Sequence, residues 1–244
     1  MASVWTIPQE RQAELMDDPA LPVGEHMHAL AALARINTVS LTAQHLAAAV
    51  GRLLPRRPER PLVVVDLACG GGDVTVSLAE ILGRHLGPDG IRVIGIDASG
   101  RAIDHCRRLA TARHCPAAEF LVGDVVTGAC PPCDVAVSTL FLHHLDDEPA
   151  VAMLASMAAA AECGGVISDL LRSRAGLALA LLGTTLLSTS RVARIDGPVS
   201  VKAARTLAEY RGLLQRAQLE HATLRRTWPE RCLVEWSAPS RGPA

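Results

Sequence analysis

The sequence predicts an α/β fold in which helices cover both faces of a doubly wound, mostly parallel, seven-stranded sheet. Short apolar runs alternate along the chain with stretches of helical periodicity, which is typical of parallel strands joined by helical crossovers. A glycine cluster directly follows the first apolar run. Near the C-terminus, two strand-like runs lie on either side of Pro229-Glu230, and this spacing predicts a closing hairpin.

The composition fits a globular protein with one large core. The chain has 244 residues, of which 49% are hydrophobic, so it is long enough to bury one core with a small extra layer. A formal net charge of −1 provides no overall field for nucleic acid, and only 2% of the residues are aromatic. We therefore expect no nucleic-acid partner, and the composition leaves the oligomeric state open.

The N-terminus and the cysteines predict a cytoplasmic protein. Met1 to Leu15 contains charges and proline but no apolar core, so we expect no signal peptide. The seven cysteines are an odd number, and without a secretory signal they predict free thiols in a reducing compartment. Cys130 and Cys133 have CxxC spacing, but a zinc site would need a second pair of ligands. We expect no metal site.

The first strand and the turn after it form the most informative segment. Val63 to Leu67 is an apolar run that contains a carboxylate near its end, Asp66, and the glycines Gly70 to Gly72 follow closely. Helical spacing begins at Asp73. Glycines let the backbone approach a ligand, and a helix start offers unpaired N–H groups to a negative ligand group. The segment is therefore predicted to be a strand, a turn and a helix that together bind a nucleotide.

The residues around the turn indicate which nucleotide it binds. A phosphate-binding fingerprint requires a small residue three positions after Gly72, but Thr75 stands there. The carboxylate of Asp66 would also face a pyrophosphate with the wrong charge. S-adenosylmethionine has a positive centre, an exposed amine and no phosphate, so it suits this turn better. A glycine turn that binds nothing is the alternative.

Acidic residues follow the next two predicted strands, which lie near 91–96 and 118–123. These residues are Asp97 and Asp124. A doubly wound sheet binds its ligand outside the carboxyl ends of the strands, so both acids are expected beside the turn, with Asp97 on the ribose hydroxyls. The remaining strands are predicted near 133–139, 164–170, 223–228 and 231–236, and the helices near 73–86, 99–113, 147–162 and 207–217.

Together these features resemble the class I S-adenosylmethionine-dependent methyltransferases over most of the chain. The Asp66-x-x-x-Gly70-x-Gly72 pattern is similar to the first motif of that family, with Ala68 where the family usually has glycine. The resemblance implies a Rossmann-like methyltransferase fold, S-adenosyl-L-methionine as cofactor, and contact between Asp124 and the adenine amino group. The cofactor-binding residues that we expect in this core are Asp66, Ala68, Gly70, Gly72, Asp97, Ala98, Asp124, Val125 and Leu140.

The segment before the first strand is predicted to be an N-terminal helical cap. The cap comprises residues 1–58 and leaves residues 59–244 as the S-adenosylmethionine-binding methyltransferase domain. Glu25 to Leu54 has a helical pattern. Arg35 and Asn37 interrupt its apolar positions, either as a solvated face or, as in similar methyltransferases, as cofactor contacts at the methionine end.

After the fifth strand, residues 171–205 are predicted to form a helical lid. Ala175 begins a run of about 13 apolar or small residues, which is shorter than the ~20 residues that span a bilayer. The run is either a core helix or a lid over the acceptor. A lid of this kind predicts a hydrophobic small-molecule acceptor and peripheral contact with membrane lipid.

Two segments refine the resemblance. Asp169 to Ser173 and Arg194 to Ser200 are similar to segments of bacterial ubiquinone/menaquinone C-methyltransferases and of bacterial enzymes that O-methylate phenolic lipids made by type III polyketide synthases. The resemblance implies O-methylation of a phenolic or polyketide-type acceptor in secondary metabolism. The alternatives are C-methylation of a quinol or polyketide ring, and a non-catalytic module that binds the donor.

The candidate catalytic residues follow the fourth and fifth strands. Methyl transfer is an in-line displacement, and a phenol with a pKa of about 10 gains from a base or a positive partner. His143 and His144 lie just past the fourth strand, and a histidine near its ordinary pKa accepts a proton at neutral pH. Arg172 is a candidate for stabilising a phenolate. Asp169 either orients a histidine or simply ends its strand.

Overall fold

A seven-stranded sheet forms the centre of the computed structural model, which describes residues 7–55, 60–87 and 89–238. The strands are β1 Leu62–Leu67, β2 Ile91–Asp97, β3 Ala118–Val122, β4 Cys133–Thr139, β5 Ala161–Leu170, β6 Thr223–Thr227 and β7 Arg231–Ser237. Their order across the sheet is β3-β2-β1-β4-β5-β7-β6, and the first five strands are parallel. β7 runs antiparallel to β5 and β6, so the predicted fold class, including the closing hairpin, is confirmed.

Helices cover both faces of this sheet and the carboxyl ends of its strands. They are α1 Val23–Val39, α2 Thr42–Leu53, α3 Asp73–Leu86, α4 Gly100–Ala112, α5 Asp147–Ala160, α6 Arg174–Leu186, α7 Arg191–Ala203 and α8 Leu207–Arg216, with 3-10 helices at Leu15–Asp17 and Leu142–His144. The predicted helix from Glu25 to Leu54 is in fact two helices. The chain breaks between them because Leu41 adopts a φ of 53°, in the left-handed region.

The core has two layers because successive residues of each strand face opposite sides of the sheet. Val64 of β1 belongs to the layer that contains Leu78 of α3, whereas Val65 belongs to the layer that contains Leu154 of α5. All four side chains are at most 1% exposed. Each buried leucine contributes about 1.5–3 kcal/mol to folding, so the two layers hold the strand ends in fixed positions.

The cap and the lid meet over the carboxyl ends of the strands. Helix α7 packs against α6, α1 and the first 3-10 helix. The carboxylate of Asp196 on α7 accepts hydrogen bonds from the backbone N–H groups of Leu15 and Met16, at 2.9 and 3.0 Å. The predicted boundary between the cap and the domain, at residues 58 and 59, lies outside the described residues. Among the helices of the described residues, none has the length and apolarity needed to cross a membrane.

Candidate active site

The donor turn, residues 68–73, joins β1 to α3 in a left-handed backbone conformation. Ala68, Gly70 and Gly72 have φ values of 58°, 53° and 72°. A Cβ on Gly70 would meet nothing within 4 Å, because that side of the turn opens into a cavity. A Cβ on Gly72 would instead lie 2.7 Å from the sulfur of Cys106. Gly70 therefore leaves space for a ligand, whereas Gly72 lets the turn pack on α4.

Asp66 lies beneath the turn and not in the cavity. It is fully buried, and its Oδ2 accepts a hydrogen bond of 2.6 Å from the Thr75 hydroxyl. Its Oδ1 has no hydrogen-bond partner among the described residues, and burial raises the pKa of this carboxyl to about 7. Neither Asp66 nor Gly72 lines the cavity, so our prediction that they contact the cofactor is corrected. Both residues shape the turn from below.

A cavity of about 1170 Å³ opens above the donor turn. It extends along the carboxyl ends of the strands and is lined on its other side by residues of the cap and the lid. This volume is large enough for a nucleoside donor together with a small acceptor. The predicted cofactor-binding residues that line it are Ala68, Gly70, Asp97, Ala98, Asp124, Val125, Leu140 and Asn37.

Two carboxylates define the end of the cavity at β2 and β3. Asp97 accepts hydrogen bonds from the backbone N–H groups of Gly70 and Ser99, at 2.9 and 2.8 Å, which ties the tip of β2 to the donor turn. Asp124 accepts one from the Thr127 hydroxyl at 2.6 Å. Each carboxylate has about four lone-pair positions, so both retain capacity for a ligand hydroxyl or amine.

The cap contributes Asn37 to the cavity but not Arg35. The Arg35 guanidinium points to the lid, where its Nε donates to the carbonyl of Leu187 at 2.9 Å, and the residue does not line the cavity. Asn37 is buried, lines the cavity and donates from Nδ2 to the carboxylate of Asp73 at 3.1 Å. Of these two expected cofactor contacts, the structure places only Asn37 beside the donor turn.

His143 lies on the cavity wall with a carboxylate on each side of its ring. Its backbone N–H and its Nδ1 both contact Asp169, at 2.9 and 2.6 Å, and its Nε2 lies 3.6 Å from Glu14. Asp169 therefore orients this histidine. Burial alone would lower the pKa of His143, but Asp169 and then Glu14 outweigh it and raise the pKa to about 9. His143 is therefore mostly protonated at neutral pH, contrary to our expectation of an ordinary histidine pKa.

His144 stands beside this pair and is partly exposed. Its ring stacks on Phe141 with centroids 5.7 Å apart, and its Nε2 and Nδ1 lie 3.8 Å from Glu14 and 3.3 Å from Asp17. Burial favours a higher pKa for Glu14, but the two neighbouring histidines outweigh it and lower the pKa. Glu14, His143 and His144 each offer a ligand atom within 4.8 Å of the others, so a metal ion could compete with the proton here.

Arg172 does not face the cavity. Its Nε donates to the carbonyl of Ala204 at 3.0 Å, and its other nitrogens contact the carbonyl of Ile7 and the carboxylate of Glu209. All three guanidinium nitrogens thus hold the end of the lid together with α8 and the start of the cap. Our prediction that Arg172 stabilises a phenolate is wrong for this reason.

Sequence reasoning missed Glu14 and Arg205, which shape the histidine end of the cavity. Arg205 is 1% exposed and donates to the carbonyls of Leu142 and Leu145, both at 2.7 Å, which fixes the loop that carries the two histidines. Glu14 lies in a segment that reads only as a turn. Both residues act on partners more than 55 positions away, and a local pattern carries no signal of such contacts.

Comparisons with known proteins show what the chain is similar to. Residues 64–165 match the family model described as "Methyltransferase domain". A curated protein, the carboxy-S-adenosyl-L-methionine synthase of Pseudomonas syringae pv. tomato, is 30% identical over 130 residues. That alignment covers 50% of this chain and 51% of the curated protein, so the chain matches about half the length of this relative.

Solved structures of methyltransferases have the same fold. The magnesium protoporphyrin IX methyltransferase of Synechocystis PCC 6803, solved with bound S-adenosylhomocysteine, has a TM-score of 0.56 and 19% identity, with 85% of this chain and 84% of that chain covered. An O-methyltransferase family 2 protein of Planctomyces limnophilus, solved with apigenin, has a TM-score of 0.52 and 20% identity, with 82% and 59% covered. At these identities the likeness shows the fold alone.

These findings confirm the predicted methyltransferase domain, which has the fold of S-adenosylmethionine-dependent enzymes. S-adenosylmethionine is the methyl donor of enzymes with this domain. The acceptor and the finer likeness to phenolic-lipid and quinone methyltransferases stay predictions.

Proposed function

We propose that this protein is an S-adenosylmethionine-dependent methyltransferase that methylates an oxygen of a hydrophobic phenolic or polyketide-type molecule in secondary metabolism. The observation that supports this most directly is the Asp169–His143 pair on the wall of the cavity that begins at the donor turn. The same cavity is lined by lid residues such as Leu179 and Leu182, which suit an apolar acceptor.

The chemistry requires little besides orientation and a proton acceptor. The acceptor oxygen attacks the methyl carbon, the methyl–sulfur bond breaks, and neutral S-adenosylhomocysteine leaves. The hydroxyl proton passes to neutral His143, while Asp169 fixes the ring orientation through Nδ1. The pKa of about 9 for His143 is close to that of a phenol, so the two groups are suited to exchange a proton. Glu14 then stabilises the imidazolium that forms.

A product analysis tests this proposal. The purified protein is incubated with methyl-deuterated S-adenosylmethionine and a panel of alkylresorcinols, quinols and aromatic polyketides, followed by mass spectrometry and NMR of the products. We expect a deuterated methyl ether on a phenolic acceptor. A methyl group on a ring carbon would favour the C-methyltransferase alternative. Donor binding by calorimetry with no product from any acceptor class would favour a non-catalytic donor-binding module.

We also propose that the lid contacts a membrane surface from which an apolar acceptor enters. Leu182 and Leu186 line the cavity yet are 57% and 72% exposed, so they form an apolar rim. Arg174 begins α6 and Arg191 begins α7, and residues 171–195 include no acidic residue, which favours an anionic lipid surface. Co-sedimentation with anionic vesicles should fall in a Leu186→Glu variant, and equal binding by both proteins would contradict this contact.

The cysteines support a reducing compartment, and we propose the cytoplasm. All seven thiols are free, and six of them are buried. Thiol titration of the unfolded protein after non-reducing purification should find seven free groups. A disulfide in the native protein would contradict this location.

A further inference from the structure

Arg231 is a buried cation in the cavity wall whose hydrogen-bond partners are uncharged. It is the first residue of β7, is 4% exposed and lines the cavity. Its Nη1 donates to the Thr42 hydroxyl at 2.6 Å, and its Nη2 donates to the Asn37 side-chain carbonyl at 3.2 Å. Its Nε is buried and has no partner among the described residues.

A buried guanidinium of this kind is unfavourable unless something else compensates its charge. Burial lowers the pKa of Arg231 to about 10, although the nearby carboxylates of Asp169 and Asp73 favour the charged form, and the group still carries its charge at neutral pH. Guanidinium groups bind carboxylates through charge-assisted and often bidentate hydrogen bonds. A carboxylate that enters the cavity would therefore supply a directly hydrogen-bonded anion, which neither Thr42 nor Asn37 provides.

Asp73 provides the opposite charge at the end of the donor turn. It is the first residue of α3 and lines the cavity, and its Oδ2 accepts a hydrogen bond of 3.1 Å from Asn37 Nδ2. The amide of Asn37 thus stands between the two charges, with its nitrogen on Asp73 and its oxygen on Arg231. A carboxylate and a guanidinium held apart by one amide match the α-ammonium and α-carboxylate of an amino acid.

We propose that Arg231 binds the α-carboxylate of the donor's methionine end while Asp73 binds its α-ammonium group. Asn37 is the positioning residue that keeps both charges oriented. The assignment rests on the proposed function, because it requires S-adenosylmethionine as the bound donor. It makes the hairpin of β6 and β7 part of the donor site, and the predicted donor contact of Arg35 on the cap becomes unnecessary.

Calorimetric titration with three nucleosides tests the assignment. S-adenosylmethionine has both charged groups, its decarboxylated form lacks only the carboxylate, and 5′-methylthioadenosine lacks both. In an Arg231→Met variant we expect the affinity for S-adenosylmethionine to fall at least about tenfold, while the affinity for the other two changes less than about twofold. An Asp73→Asn variant should weaken binding of both amine-bearing nucleosides and leave 5′-methylthioadenosine unchanged. Arg225→Met, at an exposed position on β6, is the matched control.

The outcomes separate the possible failures. An equal loss for all three nucleosides in Arg231→Met would give Arg231 a structural role, and unchanged affinities would remove it from the donor site; either result overturns the assignment. If the wild-type protein binds none of the nucleosides, the proposed function fails instead. Should Arg231→Met not fold by circular dichroism, Arg231→Lys keeps the cation without the guanidinium geometry. It should then show a smaller loss that is still confined to S-adenosylmethionine.

Discussion

The two ends of the cavity are held in place by different kinds of interaction. At the donor end, the turn backbone and the tip of β2 are joined by hydrogen bonds that Asp97 accepts from the backbone N–H groups of Gly70 and Ser99. The acceptor end consists of charged side chains from segments far apart in the sequence, with His143 placed between Glu14 and Asp169. The donor end is therefore fixed by hydrogen bonds to the backbone. The acceptor end is fixed by ionisable side chains, each of which affects the charge state of the others.

This difference separates the expected effects of substitutions. A change at the donor end removes a ligand contact together with hydrogen bonds to the turn backbone, so it should alter donor affinity. A change at the acceptor end shifts the charge state of the remaining groups, because each pKa depends on the others. It should therefore alter the rate and its pH dependence while donor affinity is retained.

The largest effect is expected from His143→Ala. Loss of the proton acceptor should lower kcat by about 10²–10⁴-fold and change the donor Kd by less than about twofold. His144→Ala should have a smaller effect, and His85→Ala, at an exposed position on α3, should have none. Turnover assays and donor calorimetry measure both quantities. Full turnover in folded His143→Ala and His144→Ala variants would exclude a histidine base.

The pH profile should show the raised pKa of His143. Because His143 accepts the proton only in its neutral form, kcat/KM should rise with pH until about 9 and then level off. Glu14→Gln removes one of the carboxylates that raise this pKa, so its profile should level off at a lower pH. A profile that is flat from neutral pH upward, or one that Glu14→Gln leaves unchanged, would contradict the role of His143.

A turnover assay with EDTA shows whether Glu14, His143 and His144 hold a proton or a metal ion. We expect turnover to be unaffected by EDTA, because the proposed reaction uses His143 as a base. A loss of turnover with EDTA that is restored by one divalent metal would instead assign the cluster to metal binding.

Asp97→Ala should affect donor affinity and leave the chemical step almost unchanged. Hydrogen bonds to a charged group contribute about 1.5–3 kcal/mol, so the donor Kd should rise about 10- to 100-fold. At saturating donor, kcat should stay within about threefold of the wild-type value, since Asp97 is expected to contact the ribose and not the transferred methyl group. Unchanged donor affinity by calorimetry would remove Asp97 from the ribose site.

The smallest expected effect is on stability, from Ala68→Gly. Ala68 has a φ of 58°, which costs a non-glycine residue about 1 kcal/mol. Glycine relieves this strain but adds entropy to the unfolded chain, so the free energy of unfolding should rise by only about 0.5 kcal/mol. Urea denaturation measures the change. A loss of more than about 1 kcal/mol would show that the Ala68 methyl group makes a packing contact that matters more than the strain.

The positions of the residues at the donor end were predictable from the sequence because their signals are local, whereas their contact with the donor stays a prediction. Asp97 and Asp124 follow strands that apolar runs reveal, and the glycine turn marks where they converge. The spacing of the glycines did not distinguish Gly70, which faces the cavity, from Gly72, which packs on Cys106. Burial likewise decided the position of Asp66, which a linear pattern does not show.

The acceptor end was only partly predictable. The pattern located His143 and His144 because they follow a strand directly. Arg172 was assigned wrongly because its partners, at Ala204 and Glu209, lie more than 30 positions further along the chain. Arg231 gave no signal, since its significance depends on burial against the cap, which only the folded chain reveals.

A crystal structure with S-adenosylhomocysteine and a methylated phenol tests the central claim most directly. We expect the adenosine between Asp97 and Asp124, the sulfur above the donor turn, and the methylated oxygen beside Nε2 of His143. An empty donor turn, or a product oxygen that contacts neither His143 nor His144, would contradict it.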